Sequence, residues 1–302
     1  MTSALPTVRI FRLTGGRLVL EDSQGRWDLS AHLARRGLPT DLVELCESGW
    51  FDGGTLGPNL PAGSPDTWAP FSVEDDAQGD ANAPRDTLTP LAPREVGKVL
   101  ALGKNFREHA AEFGEAVPEE MLFFNKLPET LAPHRGTTTI PSWYDRRVDH
   151  EAELAVIIGL AGRDIAVEDA LEHVAGYSVA NDLTFRSLQG DDRKKGHPWF
   201  RAKNADGFLP FGPCFVPRDF LDLADLEVTA KVNGELRQRA STRDFVIDVP
   251  HAIAALSRHM TLRSGDIILM GTPAGVGPLA HGDEVVCEVH GIGALSTRIE
   301  RP

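Results

Sequence analysis

Positive charge is in short supply in this chain: 31 Lys and Arg stand against 44 Asp and Glu, a formal net charge of −13 at pH 7. That balance argues against binding nucleic acid or an anionic membrane through bulk electrostatics, and any anionic ligand would need cations gathered locally. Cysteine is scarce too. Cys46, Cys214 and Cys287 are odd in number, far apart and outside any Cys-x-x-Cys spacing, so no disulfide framework is expected and reduced thiols in a cytosol fit. No apolar run approaches the roughly 18 residues of a membrane span, and Met1 to Pro6 lack a basic start followed by an apolar core. A soluble, cytoplasmic protein is expected, and its 302 residues suffice for one large or two ordinary domains. There is no internal repeat.

What is present centres on Asp149-His150-Glu151-Ala152-Glu153, followed by the apolar run Leu154 to Ile158 and closed by Gly159. The run is rich in β-branched residues and too short for a typical helix, so it reads as a buried strand. Side chains alternate along a strand, which puts Glu151 and Glu153 on one face. Two like charges at the mouth of an apolar strand are costly to desolvate without a counter-charge, and a bound cation supplies one. Tyr177 to Leu183 reads as a second strand ending in Asp182, with a helix expected over Val167 to Val174, so a strand-helix-strand unit returns Asp182 beside the Glu pair. Three carboxylates with no His or Cys partner suit a hard cation: Mg²⁺ first, with Mn²⁺ or Ca²⁺ as alternatives. Taken alone, Glu-x-Glu on a strand is more often a solvated edge than a ligand pair; the adjoining apolar run brings the two readings level.

The rest of the chain divides near Pro93 into a small N-terminal domain with linker (1–93) and a larger domain (94–302). Short strands are expected at Val8 to Phe11 and Arg17 to Leu20, with short helices near Leu29 to Arg36 and Asp41 to Glu47. Pro61 to Pro93, rich in Pro, Asp, Ala and Gly, reads as a linker or surface excursion. Val99 to Leu102 is a strand, and His109 and Glu112 beyond it share a face if their segment is helical: a base and its orienting carboxylate, or an ordinary surface pair. The charged run Arg186 to Lys195 reads as a solvated loop. Lys203 is either an exposed amine or a cation aimed at an anion. Asn233-Gly234 marks a hairpin, Pro250 opens a helix running to about Met260, and Asp266 to Met270 is a buried strand. Gly271 to Pro278 carries neither the ending of a phosphate-binding P-loop nor the dinucleotide-binding Gly pattern, so nucleotide binding is rejected. Its free N–H groups and the Thr272 hydroxyl can hold a carboxylate, or it is a structural turn. A hairpin closes the chain over residues 284 to 299.

Taken in order, His150-Glu151-Ala152-Glu153-Leu154, Asn181-Asp182-Leu183-Thr184, Lys194-Lys195-Gly196-His197-Pro198-Trp199, Ala202-Lys203, Lys231-Val232-Asn233-Gly234-Glu235-Leu236-Arg237-Gln238 and Gly265 to Pro278 closely resemble the fumarylacetoacetate hydrolase family. The likeness is to its branch of acylpyruvate hydrolases and oxaloacetate decarboxylases or tautomerases, and it covers about residues 97 to 301. It implies a β-rich α+β fold, a mixed-sheet roll beside the small N-terminal β-rich domain, a homodimer, and a Mg²⁺ or Mn²⁺ site. By position, Glu151, Glu153 and Asp182 match the family's metal-binding carboxylates and Lys203 its active-site Lys. His109 and Glu112 match the pair that activates water, and Lys126, Arg186, Gln189 and Thr272 resemble substrate-side positions. One departure is Asn105, which stands where the founding hydrolase supplies a further Asp ligand, away from the namesake activity.

The activity these matches imply is metal-dependent hydrolysis of a C–C bond in acylpyruvate-like 2,4-dioxo acids through a metal-bound enolate. The same enolate serves a 2-hydroxyhepta-2,4-diene-1,7-dioate isomerase of aromatic catabolism, or an oxaloacetate decarboxylase or tautomerase. A non-catalytic, metal-stabilised oligomer is the reading from another class. The partners expected are a small oxo-acid substrate and a second copy of the chain, with no nucleic acid and no membrane.

Overall fold

The computed structural model describes residues 8–13, 15–23, 25–48, 89–112 and 120–302, so most of the Pro61 to Pro93 linker lies outside the described residues. In chain order, strands β1 (Arg9–Arg12), β2 (Leu18–Asp22) and β3 (Gly25–Asp28) precede helices α1 (Leu29–Arg35) and α2 (Leu42–Glu47). Asp28 and Asp41 cap these helices, each accepting a backbone N–H of the first turn. Next come β4 (Val99–Gly103), α3 (Arg107–Glu112), β5 (Leu122–Lys126), β6 (Leu131–Ala132) and β7 (Gly136–Thr139). The middle of the chain holds β8 (Ala152–Ile158), β9 (Val174–Asn181), α4 (Arg186–Lys194), α5 (Phe200–Lys203) and β10 (Leu209–Pro217). The last part holds β11 (Glu227–Val232), β12 (Glu235–Ser241), α6 (Val249–His259), β13 (Ile267–Leu269), β14 (Glu284–Val289) and β15 (Gly293–Glu300).

The larger mixed sheet runs β3-β2-β1-β10-β9-β8-β13-β4-β5, with β6 on the side of β10, and the smaller runs β12-β11-β14-β15-β7. The N-terminal strands thus extend the larger sheet, Ile10 of β1 pairing with Phe215 of β10. In β8 the alternation of side chains serves two cores. Leu154, Val156 and Ile158 pack with residues of the smaller sheet such as Val228, Val285 and Leu295, whereas Ala155 and Ile157 join Leu29, Leu33 and Leu45 of the N-terminal helices. A strand covered on both faces reads as an unbroken apolar run, which is how Leu154 to Ile158 is written.

Two expectations need correction here. The segment expected to be a helix over Val167 to Val174 holds a 3-10 turn, Ala170–His173, and β8 and β9 are antiparallel, Ala152 pairing with Asn181. Antiparallel neighbours need no crossover helix, and the Gly159 N–H closes directly on the His173 carbonyl at 2.8 Å. The run beginning at Arg186, expected to be a loop, is the nine-residue helix α4.

The hairpin β11–β12 turns at Asn233 and Gly234, both at positive φ (51° and 81°), as a two-residue turn of this kind requires. Helix α6 is capped by Asp248, whose carboxylate accepts the His251 N–H at 3.0 Å, and it buries Ile253 and Leu256. Among the described residues no helix is long and apolar enough to cross a membrane.

Candidate metal centre and active site

The site begins at the adjoining ends of β8 and β9. Glu153 lies opposite Ala180 in the ladder, the Asp182 N–H donates to the Glu151 carbonyl at 2.8 Å, and the Glu151 N–H donates to the Asn181 side chain at 3.0 Å. Backbone pairing therefore draws Glu151, Glu153 and Asp182 together. Their nearest carboxylate oxygens all lie within 4.8 Å of one another, and the three residues are 4 %, 2 % and 0 % exposed. Burial, joined by the charges of Asp182 and Glu151, pushes the Glu153 carboxyl well above the usual carboxylate range. Three converging, buried oxygen donors of this kind fit a hard divalent cation.

Cationic side chains border the triad. Lys203, at the end of α5, places Nζ 2.7 Å from Glu151 Oε2 and 2.6 Å from Asp182 Oδ2, over the Phe124 ring. Burial alone would drive its amine down, but the Asp182 and Glu151 charges outweigh it and hold the pKa above the ordinary value. Arg186, at the start of α4, bonds Glu151 with Nη2, Asp149 with Nε at 2.8 Å and Gln189 with Nη1 at 2.6 Å. Asp149, fully buried and shared with Arg147, opens the stretch singled out in the sequence, but its ion-pair partners were not read there.

Lys126, matched to a substrate-side position, sits elsewhere. It is 1 % exposed, with Nζ in an ion pair 2.8 Å from Asp182 Oδ1, and it donates to the Lys203 carbonyl. Lys126 backs the triad carboxylate Asp182 and is not among the residues lining the pocket.

The pocket over the triad has a volume of about 260 Å³. Arg186, Gln189 and Arg193 reach it from one face of α4, and Leu102, Phe124 and Trp199 form its apolar wall. The spacing of three and four between Arg186, Gln189 and Arg193 was visible in the sequence and marks a helical face.

Gly271 to Pro278 completes the pocket, and five neighbours hold it. Glu153 Oε2 accepts the Gly271 N–H at 2.6 Å, and Asn105 donates to the Met270 carbonyl at 2.8 Å. Asn105 also exchanges hydrogen bonds with the backbone of Ile247, so its amide is fully engaged as a clamp at the position where the founding hydrolase carries a ligand. Gln238 donates to Thr272 and to the Pro273 carbonyl, both at 2.7 Å. His150, whose pKa burial lowers, donates from Nδ1 to the Gly277 carbonyl at 3.1 Å. The exposed Glu112 of α3 accepts the Gly275 N–H at 3.2 Å. Gly271 has φ +87°, and a Cβ there would meet that of Asn105 at 2.8 Å, so this corner admits only glycine. His109 belongs to α3, and its side chain lies outside the described residues.

Comparison with known proteins agrees with this geometry. Residues 98–300 match the family described as fumarylacetoacetate (FAA) hydrolase C-terminal. The mitochondrial oxaloacetate tautomerase FAHD1 of Bos taurus is 39% identical over 210 residues, 69% of this chain and 94% of that protein. A fumarylacetoacetate hydrolase structure from psychrophilic Exiguobacterium antarcticum superposes with a TM-score of 0.79 at 32% identity, covering 98% of this chain and 100% of that one. The fumarylpyruvate hydrolase of Pseudomonas aeruginosa, in complex with Mn²⁺ and pyruvate, gives a TM-score of 0.66 at 31% identity over 74% of this chain and 98% of its own. A buried acidic triad on two antiparallel strands, within a matched stretch of about two thirds of the sequence, leaves one conclusion: this chain belongs to the fumarylacetoacetate hydrolase family.

Proposed function

We propose that the chain is a divalent-metal-dependent hydrolase that cleaves a C–C bond in acylpyruvate-like 2,4-dioxo acids. The observation that carries this reading is Lys203 Nζ set between Glu151 and Asp182 on the floor of a pocket that Arg186 and Thr272 also line. Glu151, Glu153 and Asp182 would hold the ion, Mg²⁺ or Mn²⁺, which when bound supplies Lewis-acid polarisation of the α-oxo group. Arg186, Gln189 and Thr272 bind and orient the substrate's α-oxo carboxylate end. Lys203 adds fixed positive charge where the enolate oxygen develops. His109, oriented by Glu112, takes a proton from water, and the hydroxide adds to the C4 carbonyl. The C3–C4 bond then breaks with its electron pair retained by the three-carbon fragment as an enolate, and protonation at C3 gives pyruvate beside the released carboxylic acid.

A second reading, tautomerisation or decarboxylation of oxaloacetate, is favoured by the 39% identical tautomerase. It needs the enolate and the same cations but no attacking water. His109→Ala separates the two: hydrolysis falls by about 10²–10⁴-fold, whereas turnover of oxaloacetate persists. Loss of the ultraviolet enol absorbance of an acylpyruvate with stoichiometric pyruvate, abolished by EDTA and restored by Mg²⁺, supports hydrolysis. Hydrolysis that survives in His109→Ala removes that residue from the mechanism.

A further inference from the structure

Gln238 is 1 % exposed, at the junction of the Gly271–Pro278 loop with the first residue of β8. Its Oε1 accepts the Ala152 N–H at 3.0 Å, and its Nε2 donates to Thr272 Oγ1 and to the Pro273 carbonyl, both at 2.7 Å. These partners fix the amide's orientation, because the flipped amide would set oxygen against the Pro273 carbonyl and nitrogen against the Ala152 N–H. The consequence falls on Thr272. A hydroxyl has one proton and two lone pairs; Gln238 occupies a lone pair, and no described residue accepts the proton. Thr272 lines the pocket beside Arg186 and Lys203, so the pocket is where an acceptor for that proton would lie.

We propose that Gln238 is a positioning residue: by donating to Thr272 Oγ1 it commits that hydroxyl to donate, in turn, to the carboxylate of the bound oxo acid. This rests on the oxo-acid reading of the pocket. Gln238→Glu replaces the donor with an acceptor of the same shape, and the Thr272 proton turns away from the pocket toward it.

The test titrates pyruvate calorimetrically into the Mg²⁺-loaded protein and measures KM and kcat beside it. Gln238→Glu is expected to raise the pyruvate Kd and the KM about tenfold, the scale of a lost hydrogen bond to a charged group, with kcat within about threefold of wild type. Thr272→Val gives a similar rise, Thr272→Ser recovers affinity relative to Thr272→Val, and the double variant Q238E/T272V is no worse than the poorer single one. A Kd for Q238E within about twofold of wild type overturns the proposal, and so do additive effects in the double variant. Where Q238E fails to fold, Gln238→Met removes the donor without adding charge, and an unchanged Kd is again decisive against it. A wild type that binds pyruvate but turns over no oxo acid defeats the hydrolase reading alone, and one that binds no pyruvate defeats both.

Discussion

Replacing Lys203 by Met tests the electrostatics of the site most directly. The methionine keeps the unbranched apolar stem and removes the ammonium that lies 2.6 Å from Asp182 and 2.7 Å from Glu151. Both acids are buried, so water cannot take over. Breaking a buried ion pair from one side costs about 3–5 kcal/mol, and at about 2–3 °C per kcal/mol for a chain of this size the melting temperature in EDTA should fall by roughly 6–15 °C. A divalent ion held by the same carboxylates restores the missing positive charge. Mg²⁺ should therefore raise the melting temperature of Lys203→Met more than that of wild type, recovering at least about half of the loss. Activity should stay low in Mg²⁺, down by about 10²–10³-fold, because stabilising the ground state does not replace charge at the developing oxyanion. The assay is differential scanning fluorimetry over a Mg²⁺ series with turnover measured in parallel. Equal losses in EDTA and in Mg²⁺ would refute the shared-cation argument.

Other consequences can be checked as simply. Because the Glu153 carboxyl is raised well above its unfolded value, the metal-free folded state keeps a proton that the unfolded chain releases. Stability in EDTA should accordingly fall as pH climbs from the unfolded value through the folded one, and Glu153→Gln should abolish that slope; parallel melting curves from about pH 5 to about pH 8 would be fatal to it. All three cysteines are buried, and burial pushes Cys214 up to about 12 and Cys287 higher still, so a disulfide reagent at mild alkaline pH should modify the thiols only after unfolding. Rapid labelling of the native protein would contradict the packing described.

Much of this was legible in the sequence, and where it was not the reason is physical. The strand from Ala152, the hairpin at Asn233-Gly234 and the helix opened by Pro250 each follow from a local rule, and local rules sufficed. Helix α4 was hidden because its composition is that of a solvated loop, yet Asp192 is fully buried against Arg201 while Arg186, Gln189 and Arg193 face the pocket. Strand β10 was hidden by Pro210, Pro213 and Pro217, residues that usually exclude a central strand; a register shift between Gly212 and Val216 accommodates the middle one. The carboxylate triad could be named from spacing and resemblance. The roles of Asp149, Lys126 and Gln238 could not, because each depends on partners supplied by distant segments.

Placement of the triad at the adjoining ends of one antiparallel strand pair ties its geometry to a single ladder. The register of β8 against β9 sets Glu153 opposite Ala180 and Glu151 and Asp182 just beyond the strand ends, and a one-residue slip would turn Glu153 to the opposite face. Beside Glu151, Glu153 and Lys203, the pocket is lined from β4, β5, α4, Trp199 and the loop carrying Thr272. Substitutions at Leu102, Phe124 or Trp199 can thus reshape the apolar side of the pocket while the three carboxylates keep their places, whereas an insertion within β8 or β9 would displace them.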